Sequence, residues 1–234
     1  MEKANNFRHE FKYRCDISDI EIVKNRIKHL LQLDPHTKDG TYEIRSMYFD
    51  NCFNRCYFEN EMGTDSREKF RIRIYNGSSE NIFLECKRKE HGKTHKTSAR
   101  LTLEQFNNIL NNQSLHISED QPTLLNKFIC LIKTQMYRPA VIVGYERIPY
   151  IYKCGNVRVT VDMNIRASRC FDKFFEKDIP WQPILPKGEH LVEVKYDELL
   201  PDFIKNNLEM IGLRRTTFSK YYLCRRFSAG GLLI

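Results

Sequence analysis

The sequence predicts an α+β fold in which about eight antiparallel strands form a β-barrel and helices pack outside it. Three observations predict this architecture. Segments that alternate apolar and polar residues recur along the chain, short turns separate many of them, and other segments repeat apolar residues at helical spacing. We expect residues 1–234 to form a single domain, because no repeat and no low-complexity run divides the chain.

The first half of the chain alternates strands and helices. Period-two alternation predicts strands at residues 7–14, 41–50, 68–76, 81–89 and 93–102. Helical periodicity follows the first of these strands, where Ser18 is the predicted N-cap and Glu21 occupies the capping-box position. A short second helix is predicted to begin at Thr102, whose hydroxyl is a suitable cap.

The second half of the chain continues this pattern with longer elements. It predicts helices at 123–134, 200–212 and 217–227 and strands at 138–152, 156–165 and 190–197. A Cys154-Gly155 turn joins the first two of these strands. Because such short turns connect antiparallel neighbours, we expect the sheet to be mostly antiparallel.

The strands carry charge on one face and apolar groups on the other. Between Glu68 and Asn76, three apolar residues alternate with the cations Lys69, Arg71 and Arg73. The other strands place further charged residues on single faces: Arg8, Glu10, Lys12, Arg14, Glu43, Arg45, Glu85, Lys87, Lys89, Arg147, Arg158, Asp162, Glu193 and Lys195. Helices with apolar stripes cover apolar sheet faces, so the charged faces must point elsewhere.

Two arrangements of the sheet satisfy this pattern. An open sheet would expose its charged face to water, as antiparallel sheets often do, and this alternative stays open. A sheet closed on itself would enclose the charge, and stacked cations inside it would be costly unless an anion bound between them. The carboxylates would offset part of the charge and offer oxygen ligands to a divalent metal ion: Glu10, Glu43, Glu85, Asp162 and Glu193.

A cationic barrel with carboxylates suits polyphosphate chemistry. Arginine and lysine bind phosphate oxygens, and Mg²⁺ or Mn²⁺ bridges them. The net charge of +8 is consistent with an anionic partner. The sequence contains no GxxxxGK[ST] motif, so a nucleotide would not be held by a P-loop. Nucleic acid is not the expected partner, because the aromatic residues mostly share the apolar faces and could not stack on bases beside the cations.

Composition also predicts where the protein resides. We find no transmembrane stretch of about 18 apolar residues and no apolar leader, which predicts a cytoplasmic protein. The eight cysteines are scattered without paired zinc-binding spacing, so we expect free thiols in a reducing compartment.

The charged strands resemble, in order, the motifs of the triphosphate tunnel superfamily, and within it the polyphosphate polymerase domain of the VTC (vacuolar transporter chaperone) family. The matching segments are HEFKY with Lys12, FRIRIY with Arg71 and Arg73, LECKRK with Glu85 and Lys87, YERIPY with Arg147, VRVTVD with Arg158 and Asp162, LVEVKY with Glu193 and Lys195, and FSKY with Ser219 and Lys220. Any one of these motifs is weak evidence, whereas seven in order across most of the chain are specific. The resemblance implies the eight-stranded triphosphate tunnel fold.

The resemblance also implies an activity and roles for residues. The polymerases transfer the γ-phosphate of ATP to a growing polyphosphate chain, with Mn²⁺, or alternatively Mg²⁺, held by the glutamate of the last strand. The implied catalytic residues are Arg71, Arg73, Lys87, Arg147 and Arg158. The implied substrate-binding residues are Lys12, Ser219 and Lys220, to which the charged strand faces add Lys195 and Arg45. Glu193 is the implied metal ligand, with Glu10 and Glu85 as further candidates.

The sequence departs from the family pattern at two places. Thr217 stands where the eukaryotic polymerases have a further lysine two residues before the serine of the last motif, which puts one phosphate contact in doubt. The hydrolase branch opens with E-x-E-x-K, and here Arg8 replaces the first glutamate of the motif that contains Glu10 and Lys12. Loss of that carboxylate favours the polymerase branch.

Other functions remain open at this point. Ser219 is equally suited to cap the last helix. A triphosphatase or tripolyphosphatase with the same tunnel, and a non-catalytic polyphosphate-binding module, are the alternatives to a polymerase. If the protein makes polyphosphate, we expect a separate membrane protein to export it, and association with the membrane would then occur through that partner.

Overall fold

The computed structural model describes residues 7–37, 39–209 and 213–228. The strands within these ranges are β1 (His9–Cys15), β2 (Gln32–Leu33), β3 (Tyr42–Asp50), β4 (Arg67–Tyr75), β5 (Ile82–Glu90), β6 (Lys93–Leu101), β7 (Arg138–Tyr152), β8 (Val157–Ser168), β9 (Gln182–Pro183) and β10 (His190–Tyr196). The helices are α1 (Ile17–Ile27), α2 (Arg55–Glu61), α3 (Leu103–Asn111), α4 (Thr123–Gln135), α5 (Asp202–Glu209) and α6 (Lys220–Ser228). The eight predicted strands are confirmed; positions 210–212, at the end of the helix predicted at 200–212, lie outside the described residues.

The eight long strands form one curled antiparallel sheet. Their order is β1-β10-β8-β7-β3-β4-β5-β6, and the two-residue strands β2 and β9 pair with β7 and β8. The edge strands meet where the backbone of Arg8 exchanges two hydrogen bonds of 2.8 and 3.0 Å with Thr94, beside the start of β6. This bridge brings the two edges of the sheet together, so the fold is the predicted antiparallel barrel with helices outside rather than an open sheet.

Apolar side chains on the outer face of the sheet pack under the helices. One cluster lies under α3 and α4, where the ring of Phe70 stacks on Phe128 with the centroids 5.2 Å apart. A second cluster lies under α1 and α5, where Val23 and Ile27 pack with Val194. Both clusters cover the apolar strand faces seen in the sequence, so the charged faces are left to point inward.

The N-terminal cap of α1 differs from the predicted one. Asp16, not Ser18, is the N-cap, and its carboxylate accepts a hydrogen bond of 2.8 Å from the amide of Asp19. The carboxylate of Asp19 accepts a hydrogen bond from the amide of Asp16, which completes a capping box. The prediction was wrong because the helix begins two residues earlier, and Asp is as good a cap as Ser. The predicted cap of α3 at Thr102 is confirmed.

A buried carboxylate joins the last helix to the sheet. Asp50, at the end of β3, accepts hydrogen bonds from the amides of Cys56 and Tyr57 at 2.8 and 3.1 Å, where α2 begins. It also accepts a hydrogen bond of 2.5 Å from the hydroxyl of Tyr221 on α6. Asp50 therefore fixes α6 against both β3 and α2.

None of the helices in the described ranges has the length and apolarity required to cross a lipid bilayer.

The cap of α1 is tested by replacing each of the two candidate residues with alanine. We expect Asp16→Ala to lower the free energy of unfolding by about 1 kcal/mol, because the amide of Asp19 in the first turn loses its acceptor. Ser18→Ala serves as the matched control and should change it by less than about 0.5 kcal/mol. Urea denaturation measures both values. Equal losses in the two variants would contradict the assignment.

Candidate functional site

Strand register places one charged face on the inside of the barrel. In antiparallel strands, residues directly opposite one another project from the same face of the sheet. The following opposite pairs lie on this inner face, on successive strands of the barrel: Lys12–Glu193, Arg147–Asp162, Ser46–Arg73, Arg71–Glu85, Lys69–Lys87 and Lys87–Lys96. We call the space enclosed by these side chains the lumen. The predicted cationic tunnel is therefore formed by the inward faces of the strands.

The most deeply buried part of the lumen is a four-residue charge network. The guanidinium group of Arg147 binds Asp162 in a bidentate manner, with N–O distances of 2.6 and 2.8 Å. The ammonium group of Lys220, from the first turn of α6, lies 2.5 Å from Asp162 and 2.6 Å from Glu193. Burial lowers the pKa of Lys220, but these two carboxylates more than offset that effect and raise it above its usual value. Lys220 is therefore a permanent cation.

A second network surrounds Glu85 on β5. Arg71 approaches Glu85 to 2.7 Å, and Lys96 approaches the other carboxylate oxygen to 2.7 Å. Arg71 also donates to the hydroxyl of Tyr48 at 2.7 Å. Burial would raise the pKa of Glu85, yet the neighbouring guanidinium groups of Arg71 and Arg73 hold it far below its usual value. The carboxylate therefore stays ionised and orients both arginines.

The positive charge of buried Arg73 is neutralised by a carboxylate less closely than that of Arg71. Its guanidinium group donates to the hydroxyls of Ser46 and Tyr145 at 3.1 and 3.2 Å, and Glu85 is 3.8 Å away. Hydroxyl acceptors orient a guanidinium group but do not neutralise its charge. Arg73 is thus held in position and keeps a charge with which an incoming anion can pair.

A third network contains Glu10 and three lysines. Lys87 approaches Glu10 to 2.5 Å, while Lys12 and Lys195 each lie within 4 Å of both Glu10 and Glu193. Burial would raise the pKa of Glu10, but Lys12 and Lys87 hold it far below its usual value. Burial lowers the pKa of Lys87 to about 8, against the opposing effect of Glu10.

Cations outnumber carboxylates in this part of the lumen. The described cations are Lys12, Lys69, Arg71, Arg73, Lys87, Lys96, Arg147, Lys195 and Lys220, and the carboxylates are Glu10, Glu85, Asp162 and Glu193. Each carboxylate is already shared by at least two cations, so positive charge remains in a space largely shielded from water. Such a space favours entry of a polyanion.

Arg45, which we predicted to bind substrate, does not project into the lumen. It lies on the outer face of β3, opposite Gly144 of β7. Its guanidinium group pairs with Glu43 at 3.2 Å, donates to the carbonyl of Phe174 at 3.1 Å and lies over the ring of Trp181. The inner face of β3 instead carries tyrosines and Ser46, so charge was a misleading guide to the orientation of this strand.

Of two other predicted residues, Arg158 lies at the mouth of the lumen and Ser219 caps α6 beside Lys69. Arg158 is 40% exposed and pairs with Asp34 at 2.6 Å, so it lies at the mouth of the lumen rather than beside Arg71 and Arg73. The hydroxyl of Ser219 accepts a hydrogen bond of 3.3 Å from the amide of Tyr222, as expected for the cap of α6. A capping hydroxyl at a helix N-terminus remains compatible with phosphate binding.

The three predicted metal ligands do not form one site. Nowhere in the described ranges do three or more His, Cys, Asp or Glu side chains come together to hold a metal ion. Both oxygens of Glu85 are engaged by Arg71 and Lys96, away from the other two glutamates. Glu10 and Glu193 share the neighbours Lys12 and Lys195 and are the pair that the fold brings close.

Several lumen residues were missed in the sequence. Lys96 binds Glu85 directly, and the hydroxyls of Tyr48 and Tyr145 orient Arg71 and Arg73. Burial would raise the pKa of Tyr145, but Arg147 and Arg73 lower it below its usual value. Alternation was the available signal for both tyrosines, because each stands two residues from another inward side chain.

Comparisons with known proteins agree with this architecture. The chain matches the VTC domain over residues 7–228. A candidate adenylyl cyclase from Hippeastrum with a dominant triphosphatase activity is similar in structure, with a TM-score of 0.54 and 14% identity over 97% of each chain. A candidate adenylate cyclase from Bacillus halodurans has a TM-score of 0.50 and 12% identity, covering 91% of this chain and 95% of that one. No curated protein sequence matches.

At these identities the structural likeness concerns the fold alone, whereas the family match spans nearly the whole described chain. The curled antiparallel sheet, its inward cations and the match over residues 7–228 lead to one conclusion: this chain belongs to the VTC domain family and has the triphosphate tunnel fold.

Proposed function

We propose that this protein is a polyphosphate polymerase, which transfers the γ-phosphoryl group of ATP to the end of an inorganic polyphosphate chain. The observation that carries the proposal is the excess of oriented cations in the lumen of a VTC domain. Phosphoryl transfer requires little covalent chemistry from a protein, so positioning and charge stabilisation supply most of the catalysis. An enclosed cationic lumen is suited to both.

The bonds that change are few. A terminal phosphate oxygen of the chain attacks the γ-phosphorus, the bond from that phosphorus to the β,γ-bridging oxygen breaks, and ADP leaves with the electron pair. We assign Arg71 and Arg73 to the transferring phosphoryl group. Glu85 and the hydroxyls that bind these arginines hold them in place beforehand, so little reorganisation is needed as charge develops.

The other lumen cations would bind the rest of the two polyanions. Arg147 and Lys220 are fixed by Asp162 and Glu193, while Lys12, Lys87 and Lys195 surround Glu10. Arg158 at the mouth is placed to meet the substrate or the chain as it enters or leaves. A polymer made here would require a separate membrane protein for its export.

Glu193 and Glu10 are the residues we assign to a divalent metal ion. Mg²⁺ and Mn²⁺ are commonly held by one or two carboxylates, with substrate phosphates completing the shell. These two glutamates supply that number. A bound metal ion would take the place of the lysines now paired with them, and those lysines would then be available to the phosphate oxygens of the substrate. When bound, Mn²⁺ or Mg²⁺ would neutralise charge on the phosphate oxygens.

A triphosphatase is the second candidate function. The similar protein from Hippeastrum has a dominant triphosphatase activity, and the lumen described here would position a triphosphate for attack by water as well as by phosphate. The two activities differ in the nucleophile, so their products separate them.

Product analysis tests the proposal. We expect wild-type protein given ATP and Mn²⁺ to form long polyphosphate chains. Their length is measured on a polyacrylamide gel, and the phosphate they contain is compared with the free phosphate released. Release of phosphate with no chains longer than the substrate would identify a triphosphatase and contradict the polymerase. Binding of tripolyphosphate without turnover under Mn²⁺ or Mg²⁺ would leave only a binding module.

Replacing single arginines with methionine tests which face of the sheet binds phosphate. We expect Arg73→Met to weaken binding of tripolyphosphate about 10-fold to 100-fold, because a charged hydrogen-bonding partner of phosphate contributes about 1.5–3 kcal/mol. Arg45→Met is the matched control, since it removes an equally buried arginine from the outer face. It should leave the affinity within about twofold. Calorimetry measures both, with circular dichroism to verify folding. Equal losses would contradict the inward and outward assignments.

The metal ligands are tested with matched glutamate variants. We expect Glu193→Gln to raise the Mn²⁺ concentration for half-maximal activity about tenfold or more, because a neutral amide is a weaker ligand than a carboxylate. Glu85→Gln should lower activity without changing that concentration, because it releases Arg71 and not the metal ion. Titrations of activity with Mn²⁺ check both outcomes. The reverse pattern would move the metal site to Glu85.

A further inference from the structure

Lys69 differs from the other lumen cations in having no carboxylate neighbour among the described residues. Each of the other eight lumen cations named above lies within 4.0 Å of at least one carboxylate oxygen. The ammonium group of Lys69 donates to the side-chain oxygen of Asn60 and lies 3.5 Å from the hydroxyl of Ser219. It is also 5.0 Å from the centre of the Tyr221 ring. These neutral neighbours orient the cation without neutralising it.

The surroundings of Lys69 make its charge costly. It is opposite Lys87 in the sheet, so two lysines project side by side from the inner face. Burial and the neighbouring charges of Arg67 and Lys87 lower the pKa of Lys69 to about 7. A half-buried ammonium group with cationic neighbours is stabilised when an anion binds beside it.

The first turn of α6 faces the same space. Ser219 caps this nine-residue helix and contacts Lys69, and the carbonyl of Phe218 accepts a hydrogen bond of 2.7 Å from Lys12. The amides of a first helical turn attract anions, and here an unneutralised ammonium group stands beside them. The two features therefore converge on one place from β4 and from α6.

We propose that Lys69 is a substrate-binding residue, which holds a phosphoryl group of the triphosphate or of the polyphosphate chain against the N-terminus of α6. The proposal rests on the proposed function and adds a contact that the motif positions do not include. It also places a lysine near Ser219 in a chain that has Thr217 where a family lysine is expected.

Binding of a phosphate beside Lys69 changes the number of protons that the protein carries. The charged and titratable groups that face Lys69 are Arg67, Lys87, Cys56, Lys12 and Tyr221. In the free protein Lys69 is mostly neutral at pH 8, because its pKa lies near 7. A phosphate beside it raises that pKa, so the complex takes up a proton that the free protein lacks. Affinity through Lys69 therefore falls as the pH rises above about 7, and proton uptake on binding grows.

The test is calorimetry of tripolyphosphate binding at pH 8 in two buffers of different ionisation enthalpy. We expect Lys69→Met to bind at least about tenfold more weakly than wild type and to take up fewer protons. Lys69→Arg should keep the affinity within about threefold yet lose that same part of the proton uptake, because a guanidinium group stays charged. Lys127→Met is the control, since Lys127 pairs with Glu68 outside the lumen. It should match wild type in both measurements.

The outcomes separate this inference from the proposed function. If wild-type protein does not bind tripolyphosphate, the proposed function fails and the role of Lys69 fails with it. If wild type binds and Lys69→Met binds with the same affinity and proton uptake, only the assignment of Lys69 is overturned. Should Lys69→Met not fold, Lys69→Arg decides: proton uptake equal to that of wild type would overturn the assignment.

Discussion

The pairing of buried charges in the lumen is the constraint on which the rest of the structure depends. Asp162 and Glu193 are almost fully buried, and each would be very unfavourable without partners. Arg147 supplies one partner from the neighbouring strand, and Lys220 supplies the other from a helix that is far away in the sequence. The strands and α6 must therefore assemble together, because neither can bury its charges alone.

This constraint explains the position of the last helix. Lys220 enters the lumen, while the next residue, Tyr221, points to Asp50 at the end of β3. Asp50 in turn accepts the first amides of α2. One helical turn thus connects the charge network inside the barrel to a second anchor at its edge. The same turn carries Ser219, so the groups that complete the fold also face the candidate substrate.

Much of the fold followed from alternation, because a strand with one charged and one apolar face can pack only its apolar face against the helices. Phe70 and Ile72 had to meet the helices, which turned Arg71 and Arg73 inward. The same reasoning failed at β3, where Arg45 is buried on the outer face under Trp181 and the inner face carries tyrosines. Alternation identifies the two faces of a strand but not which face is inside when both contain polar groups.

Long-range partners of the site were beyond sequence reasoning for a related reason. Lys220 was found through resemblance, since nothing in a helical segment indicates that its first lysine reaches Asp162 across the fold. Lys69 belonged to the same alternation as Arg71, but only the structure reveals that it lacks a carboxylate among the described residues. The separation of Glu85 from Glu10 and Glu193 likewise depends on which cation each carboxylate meets. Charge sharing is decided in three dimensions, not along the chain.

The central claim is that the cations of the lumen form a phosphate-binding surface. A crystal structure of the protein with tripolyphosphate tests it most directly. The account predicts phosphate oxygens within hydrogen-bonding distance of Arg73 and Lys220, with the chain of phosphates along the inner face of the sheet. Tripolyphosphate bound only on the outer face beside Arg45 and Trp181, with the lumen empty at saturating ligand, would contradict it.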